Sequence, residues 1–459
     1  PVQLAVLEND EILVLGRANY GDDYFTIVKF NANGQSMVPG YGLFNGFSQY
    51  GSSIGGVVSN LRVTDMAALA DGSAIVIGTS FNITTSKNEL FAMKLNPQGQ
   101  KDVPFGTDGI THIGILNFNN DPIHATGSDI AIGANGEIFI AGAIVSSQIV
   151  VAKLLPNGQR DASFGINGIV KQDHPFRPQG DRVEVELFSD GRVCVASASE
   201  IYPNGFQFPD LAPVFYTFLP NGDIDPNFIQ GVRVLSRDID LGNGNSITVE
   251  YEDFFPGEMR INSNDIVFLA GATRDDDEET IDFGSYLISV LPNGQYNTNI
   301  AVNPLFDTLI TEQRISVPGM ISLATSLNYD DYVSSFQLLA NDAMLLLGAE
   351  YSSDGDFSMA KFIDNTGNPI VTYGNQSVFR YQQVVQNVNE GFLASGIQSN
   401  GEIVALSPYS NEQGRKGMYL TRLGETGALG NSYKQNASDT FIIYPNPVSD
   451  VLYIRNSSN

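Results

Sequence analysis

Short runs of alternating apolar and polar positions, each closed by a turn-forming pair of residues, recur along the whole chain. In one run Val150, Ala152 and Leu154 lie two residues apart, and Pro-Asn-Gly follows. An apolar period of two that ends at such a turn predicts a β-strand, whereas an amphipathic helix shows a period of about 3.6. No segment shows a convincing helical period, so the pattern predicts an all-β protein.

Two turn motifs set the spacing of these strands. The first ends a strand with strings such as LPNG, and its glycines recur about every 65 residues: Gly34, Gly99, Gly158, Gly222, Gly294, Gly367 and Gly427. We expect these glycines to need a positive φ, as Asn-Gly turns usually do. A period of this length predicts an architecture built from copies of one unit.

The second motif is a tight turn that a small residue follows six positions later. The turn residues are Asp10, Gly72, Gly136, Gly191, Asp265, Asp342 and Glu390, and the small residues are Gly16, Gly78, Gly142, Ser197, Gly271, Gly348 and Gly396. This constant spacing predicts a hairpin that leads into a strand with a close backbone neighbour.

Each repeat therefore supplies about four strands, and the chain holds seven repeats. Four strands repeated seven times predict a seven-bladed β-propeller with four-stranded blades. The alternative is an open β solenoid, in which repeats stack without closing. A closed ring is favoured because it leaves only short, protected strand edges and needs no capping element.

The repeats also carry a wider pattern, Asn-Gly-x-x-Asp-x-x-Phe, seen between Asn157 and Phe164. This pattern resembles the delta-60 repeat family of bacterial surface proteins, and the resemblance extends from Pro1 to about Tyr433. It implies a propeller at the cell surface. Four repeats depart from the pattern at the aspartate, where they carry Met37, Asn297, Ile370 and Gly430.

The last residues of the chain form a different motif, a Tyr-Pro-Asn-Pro turn before a short alternating strand. It resembles the opening of the type A C-terminal sorting domain of the type IX secretion system, found in Bacteroidota, at Tyr444, Pro445, Asn446, Pro447, Asp450, Leu452 and Ile454. The resemblance implies the first strands of an Ig-like β-sandwich. It also implies a secreted or cell-surface protein, in a phylum known for gliding motility, whose tail is recognised by the translocon's outer-membrane barrel and its shuttle protein.

These motifs divide the chain into three parts. Residues 1–433 form the seven-repeat propeller, residues 434–440 a polar linker, and residues 441–459 the incomplete start of the sorting domain. We expect the linker to let a folded propeller hang clear of a docked tail.

Charge narrows the range of partners. The chain carries 51 acidic and 24 basic residues, a formal net charge of −27. Such a charge disfavours binding to nucleic acid or to an anionic membrane surface and favours cations or a basic protein. No apolar run has the length of a membrane span, and the single cysteine, Cys194, excludes an intrachain disulfide.

Segments of unequal length follow the small residues, all on one face of the predicted ring. Long, variable loops on a rigid scaffold commonly carry binding sites. Ten aromatic and acidic residues in these segments form the predicted site for a surface glycan or protein ligand: Tyr20, Asp22, Asp23, Tyr202, Phe206, Asp210, Asp275, Asp276, Tyr351 and Asp354. No cofactor is expected except calcium, which carboxylate oxygens suit, and no metal ligands are assigned.

Catalytic signals are sparse, so the sequence predicts a binding or adhesion module with no catalytic residues rather than an enzyme. Gly51–Gly55 reads G-x-S-x-G, but the helix that a nucleophile elbow needs is not indicated. His112, His124 and His174 lack the spacing of metal ligands. The alternative is a polysaccharide lyase or hydrolase with its site on the same face of the propeller.

Overall fold

The structure is a computed structural model of the 459-residue chain. It describes residues 2–20, 22–51, 58–144, 148–173, 182–201, 210–232, 236–242, 245–250, 254–277, 280–300, 320–323, 330–339, 342–352, 355–368, 370, 378–381, 391–410, 416–423, 441–444 and 453–456.

Within these residues the strands form seven antiparallel sheets of four or five strands, each built from consecutive strands of the chain. Blade 1 consists of β1 Gln3–Val6, β2 Ile12–Tyr20, β3 Asp22–Phe30 and β4 Phe47–Gly51, and blade 2 consists of β5 Val58–Ala68, β6 Ala74–Asn82, β7 Lys87–Leu95 and β8 Ile110–Ile113. A short hairpin follows, formed by β9 Ile115–Leu116 and β10 Pro122–Ile123. Blade 3 consists of β11 Ala125–Ile132, β12 Ile138–Ile144, β13 Gln148–Leu154 and β14 Ile169–Asp173. The prediction of four-stranded blades is confirmed.

The second half of the chain continues this order. Blade 4 consists of β15 Glu184–Leu187, β16 Val193–Ile201, β17 Asp210–Phe218 and β18 Gly231–Val232. A second hairpin follows, formed by β19 Ser236–Gly242 and β20 Asn245–Glu250. Blade 5 consists of β21 Phe254–Ile261, β22 Val267–Asp277, β23 Thr280–Val290 and β24 Met320–Ser322. Blade 6 consists of β25 Asp330–Leu338, β26 Met344–Ser352, β27 Gly355–Ile363 and β28 Val378–Tyr381. Blade 7 consists of β29 Ala394–Ile397, β30 Ile403–Ser410, β31 Lys416–Leu423, β32 Phe441–Tyr444 and β33 Tyr453–Asn456.

The hydrophobic core is divided among the contacts between blades. Seven clusters of buried side chains are found in the described residues, and each joins two successive blades. One cluster packs Leu406 and Leu420 of blade 7 against Val14 and Phe30 of blade 1. Because the last blade packs on the first as the others pack on each other, the repeats close into a ring, which is the propeller and excludes the open solenoid.

A pair of hydrogen bonds strengthens the same closure. Ser399 of blade 7 donates from its amide nitrogen and its hydroxyl to the two carboxylate oxygens of Asp10 in blade 1, both at 2.6 Å. Ser189 of blade 4 bonds Asp265 of blade 5 in the same way, at 2.8 and 2.7 Å. Asp10 and Asp265 occupy turn positions with positive φ where other blades have glycine, so their carboxylates offset an unfavourable backbone conformation.

The glycines of the LPNG-type turns have the predicted conformation at every described position. Gly158 and Gly222 have φ of 82° and 89°. At four of the described turns the loop of the preceding blade also docks by a backbone hydrogen bond, as where Gly165 donates its amide to the carbonyl of Asn221 at 2.7 Å. A Cβ added at Gly222 would lie 2.5 Å from the nitrogen of Gly165. Both the dihedral angle and the close approach therefore require glycine.

One predicted turn is misplaced. Gly396 lies on β29, the innermost strand of blade 7, where it pairs with Val404. The turn equivalent to the other six is at Gly401, with φ of 80°, and the small residue six positions later is Ser407. Glu390 is outside the described residues. The error arose because Asn-Glu-Gly before a strand imitates the turn motif.

The tail is placed against the last blade. β32 pairs with β31, and β33 pairs with β32 as a fifth strand, with Tyr444 opposite Tyr453. A separate Ig-like domain is not shown, so the boundaries at 433 and 440 stay predictions. In the described part of the chain, no helix has the length and apolarity that a membrane crossing needs.

Candidate functional site: the central channel

The innermost strands surround a cavity of about 1410 Å³ on the propeller axis. All seven blades contribute residues to its wall. Arg17 and Tyr351 also line it, although they lie on second strands, one and three residues beyond the small residues Gly16 and Gly348. The cavity therefore reaches the face of the ring on which the hairpins of unequal length lie.

One backbone position recurs around this channel, seven residues before each turn residue. In chain order it is occupied by Gln3, Asp65, Asp129, Glu184, Glu258, Ser335 and Ala394, which we call the channel ring. Each of these residues pairs with the position five residues after the turn residue, as Asp129 pairs with Ala141 and Glu184 with Ala196. In blades 2, 3, 5 and 6 the ring residue directly follows a β-bulge, which redirects a side chain.

Asp65 and Asp129 form the first part of the ring's charged segment. Gln3 donates to Asp65 Oδ1 at 2.6 Å, and Asp129 Oδ2 accepts from the amide nitrogen of Val185 at 2.7 Å. Burial, then the charges of Glu184 and Asp65, raise the pKa of Asp129 well above its ordinary value, which favours its protonated form.

Arg260 lies between two carboxylates in blades 4 and 5. It contacts Glu258 of its own strand and lies 3.2 Å from Glu186 of the neighbouring blade. Glu258 Oε2 in turn accepts from the amide nitrogen of Phe336 in blade 6 at 2.5 Å. Burial raises the pKa of both glutamates, and the charge of Arg260 opposes that rise.

Glu184 differs from its neighbours in the ring. Its side chain is only 9% exposed, and in the described part of the chain it makes no hydrogen bond and no ion pair. Burial, followed by the charge of Glu258, raises the pKa of Glu184 to about 8. The carboxylate oxygens of Glu184 are not among the enclosed polar atoms without a partner, so they open onto the cavity, where a ligand could reach them.

The other side of the channel is uncharged at the level of the ring. Ser335 and Ser395 join blades 6 and 7 through their hydroxyls at 2.7 Å. Nearby, the rings of Tyr332 and Tyr351 stack with centroids 5.9 Å apart, and both tyrosines line the cavity. By their ring residues alone we call blades 2 to 5 the charged half and blades 6, 7 and 1 the neutral half of the channel wall, although Arg17 of blade 1 also lines the cavity.

The predicted site residues are placed on strands more often than in loops. Asp22 and Asp23 pair with Tyr20 and Asn19 at the end of the β2–β3 hairpin. Asp275, Asp276, Asp210 and Tyr351 likewise lie within β22, β17 and β26. The segments of unequal length are thus hairpins whose strands extend beyond the small residue. Among the predicted site residues that the structure describes, Tyr351 lines the cavity.

The remaining predicted residues lie outside the described part of the chain: Tyr202, Phe206, Asp354, Pro445, Asn446, Pro447, Asp450 and Leu452. Tyr444 and Ile454 are on β32 and β33, where Ile454 pairs with Ile443. His174 and the serines of Gly51–Gly55 are also outside it. His112 bonds Ser80 at 3.4 Å, and His124 accepts from the amide of Asn88 at 3.2 Å.

Sequence reasoning missed the channel ring altogether. Its signal was present, since an acidic residue seven positions before the turn interrupts apolar strands in four consecutive repeats. Attention to loop lengths directed the prediction to the hairpin ends instead. The described residues hold no group of three His, Cys, Asp or Glu side chains that could bind a metal ion.

Comparison with known proteins supports the fold. Residues 133–164, about half of one repeat, match the model of a domain of unknown function described as the DUF5122 β-propeller. No curated protein sequence matches the chain. An ulvan lyase, described as a polysaccharide lyase of a new family, is 10% identical with a TM-score of 0.47, over 92% of this chain and 93% of that one.

Two further solved structures share the architecture. The β-propeller domain of the trilobed protease of Pyrococcus furiosus is 7% identical with a TM-score of 0.42, over 92% and 93% of the two chains. An α-L-arabinofuranosidase of Fusarium graminearum is 7% identical with a TM-score of 0.40, over 78% and 91%. At these identities the likeness is one of fold alone.

These matches correct one expectation. The sequence predicted that the chain is not an enzyme, yet the propeller fold is shared with a polysaccharide lyase and with glycoside hydrolases. The fold therefore gives no reason to exclude catalysis.

Proposed function

We propose that the channel cavity binds a carbohydrate, and that the chain is an exported, surface-exposed member of the delta-60 repeat family. The observation that carries the proposal is a large cavity with the stacked Tyr332 and Tyr351 on one side and hydrogen-bonding carboxyls on the other. Aromatic faces and a few directed polar groups are the usual lining of a small-molecule site.

The hairpins of unequal length extend this site outward. Arg17 and Tyr351 connect the cavity wall to the β2–β3 and β26–β27 hairpins. Asp22, Asp23, Asp275 and Asp276 lie near the ends of such hairpins, so their proposed role is to form the rim that a bound chain of sugars contacts.

A glycan array followed by calorimetry with the best-bound oligosaccharide tests this proposal. Tyr351→Ala should weaken binding at least about tenfold, the value of one lost stacking contact of about 1.4 kcal/mol. Phe118→Ala is the matched control, because Phe118 is 90% exposed and does not line the cavity. Wild-type affinity in the Tyr351 variant would place the ligand elsewhere.

Cleavage of the bound glycan is a second candidate function. The specific observation is that Asp65 and Asp129 both line the cavity and that burial and the charges of Glu184 and Asp65 raise the pKa of Asp129. Two carboxyls in different protonation states can act as acid and base in hydrolysis. Incubation with each bound glycan should release new reducing ends or unsaturated ends, and Asp129→Asn should abolish that release without abolishing binding.

Export is proposed from the tail, through the resemblance of Tyr444 to Ile454 to a type IX sorting signal. Deleting everything after Asp439 should retain the propeller in the periplasm of a native host, with its fold intact. Co-purification of the full chain, but not the truncated one, with outer-membrane components would support recognition by the translocon. Normal surface display of the truncated protein would contradict it.

A further inference from the structure

The charged half of the channel has more carboxyls than cationic groups to pair with them. Asp65, Asp129, Glu184, Glu186 and Glu258 line the cavity from four successive blades. Arg260 is occupied by Glu186, Glu258 and the carbonyl oxygen of Met259. Arg62 and Arg182 are the other cations that line this half, so five carboxyls face three arginines. A carboxyl beyond that number is neutral only when it holds a proton, and a ligand that brings positive charge could take the place of that proton.

Arg182 does not remove this excess. Its guanidinium donates to the carbonyl oxygen of Pro256 at 3.2 Å, a backbone contact between blades 4 and 5. Its charge lowers the pKa of Glu184, but burial and the charge of Glu258 outweigh that effect. Glu184 thus remains a buried carboxyl that no described side chain neutralises or hydrogen-bonds.

We infer that the carbohydrate bound in the channel carries a free amino group, and that Glu184 forms the ion pair with the ammonium of this amino sugar. The inference deepens the proposed function and rests on it. Glu184 is the one ring carboxyl, among the described residues, with both burial and no partner. Two blades further along the same cavity wall, the Tyr332–Tyr351 stack offers the aromatic faces on which a sugar ring packs and which also attract cations.

The groups that face Glu184 decide how pH acts on this binding. They are Asp65 and Arg62 on β5, Asp129 on β11, Arg182 and Glu186 beside it on blade 4, and Glu258 and Arg260 on β21. At pH 6 the free protein holds a proton on Glu184, because its pKa is about 8. An arriving ammonium favours the ionised carboxylate, so binding releases a proton.

The test uses two probes, a tetramer of glucosamine, which carries ammonium groups, and the fully N-acetylated tetramer, which carries uncharged acetamido groups in their place. In calorimetry at pH 6.5 the amino tetramer should bind at least about tenfold more tightly, as one charge-assisted pair provides. From pH 5.5 to 6.5 the association constant of the amino tetramer should rise up to about tenfold. The heat of binding should also differ between buffers of different ionisation enthalpy, because the buffer takes up the released proton.

Variants separate this inference from a general sugar site. Glu184→Gln, which keeps the size of the side chain, should bring the affinity ratio of the two tetramers towards one and flatten the pH dependence. Ser335→Ala in the neutral half should leave the ratio unchanged. Equal binding of the two tetramers would overturn the amino-sugar inference and leave the carbohydrate proposal standing.

Failure of both tetramers to bind would also overturn the inference. The glycan array then tests the carbohydrate proposal by itself. Binding of any other glycan at the cavity would support that proposal, and an array without any binding would contradict it. The pH series on the wild-type protein needs no variant, so the test holds even if Glu184→Gln folds poorly.

Discussion

The charged and neutral halves of the channel wall share one backbone and differ in side chains. In both halves the ring residue lies seven positions before the turn residue and pairs with the residue five positions after the turn residue. In the charged half it is a carboxylate, as at Asp129 and Glu258, whereas the neutral half has Gln3, Ser335 and Ala394. The scaffold therefore does not require charge at this position.

The difference shows which contacts build the ring of blades and which are available for a ligand. Glu258 and Ser335 both link to the next blade, through the amide of Phe336 and the hydroxyl of Ser395. A hydroxyl thus suffices for the structural task. The additional charge in blades 2 to 5 destabilises the fold through desolvation and repulsion, so its presence is best explained by binding.

The largest loss of stability is expected from a substitution at a turn glycine that lies in close contact with the preceding blade. Gly222→Val, in blade 4, should lower the free energy of unfolding by about 3 kcal/mol, because valine is strained at a positive φ and its Cβ would meet the backbone of Gly165. Gly34→Val, in blade 1, meets nothing closer than 3.8 Å and should cost only the strain, about 1 kcal/mol. Denaturant unfolding of both variants measures the difference, and equal losses would show that the docked loop is unimportant.

Removing the central cation of the charged half should have the next largest effect. Arg260→Met leaves Glu186 and Glu258 without their ion pair and should destabilise by about 2 kcal/mol at pH 7.5. The loss should shrink at pH 5, where the two glutamates bind protons more readily. A loss that does not depend on pH would mean that Arg260 acts through packing alone.

The pH dependence of stability should distinguish the two halves directly. The pKa of Glu184 is about 8 in the folded protein against an ordinary value of 4.5, so the folded state binds the extra proton between these values. Stability should therefore fall as pH rises from 5 to 8, by up to about 1.4 kcal/mol per pH unit. Thermal unfolding of Glu184→Gln should show a shallower slope and a higher melting temperature at pH 8. An unchanged slope would show that Glu184 is not the source.

The smallest effect is expected in the neutral half. Ser335→Ala removes the hydroxyl that bonds Ser395 and should cost about 1 kcal/mol. The Ser335 hydroxyl also lowers the pKa of Glu258, so it favours the ionised carboxylate and its removal should cost more at pH 8 than at pH 5. A loss that is equal at both pH values would mean that Ser335 acts through Ser395 alone.

The fold could be predicted because its determinants are local and repeated. Asn-Gly at residues 157–158 specifies a turn with positive φ, and that conformation is observed. The seventh tight turn was misplaced because Gly391 and Gly396 satisfy the same local rule as Gly401 while lying on the inner side of blade 7. Local patterns identify a turn but do not show which strand of a blade follows it.

The candidate site was harder to predict because it is assembled across the ring. Asp65, Asp129, Glu184 and Glu258 are each separated by more than fifty residues and meet only when seven blades close. The raised pKa of Glu184 depends on burial and on the charge of Glu258 in another blade. Such a property belongs to the assembled channel and to no single segment.

The seam between blades 7 and 1 has a consequence for engineering. Among the described strands no blade combines strands from both ends of the chain, so Asp10 and Ser399 close the ring much as Asp265 and Ser189 join an internal pair of blades. A circular permutant that joins the present ends and opens the chain between blades 2 and 3 would move the seam without altering any blade. The propeller should accept new termini at several blade junctions, which allows a tag or a second domain to be placed at a chosen angle around the channel.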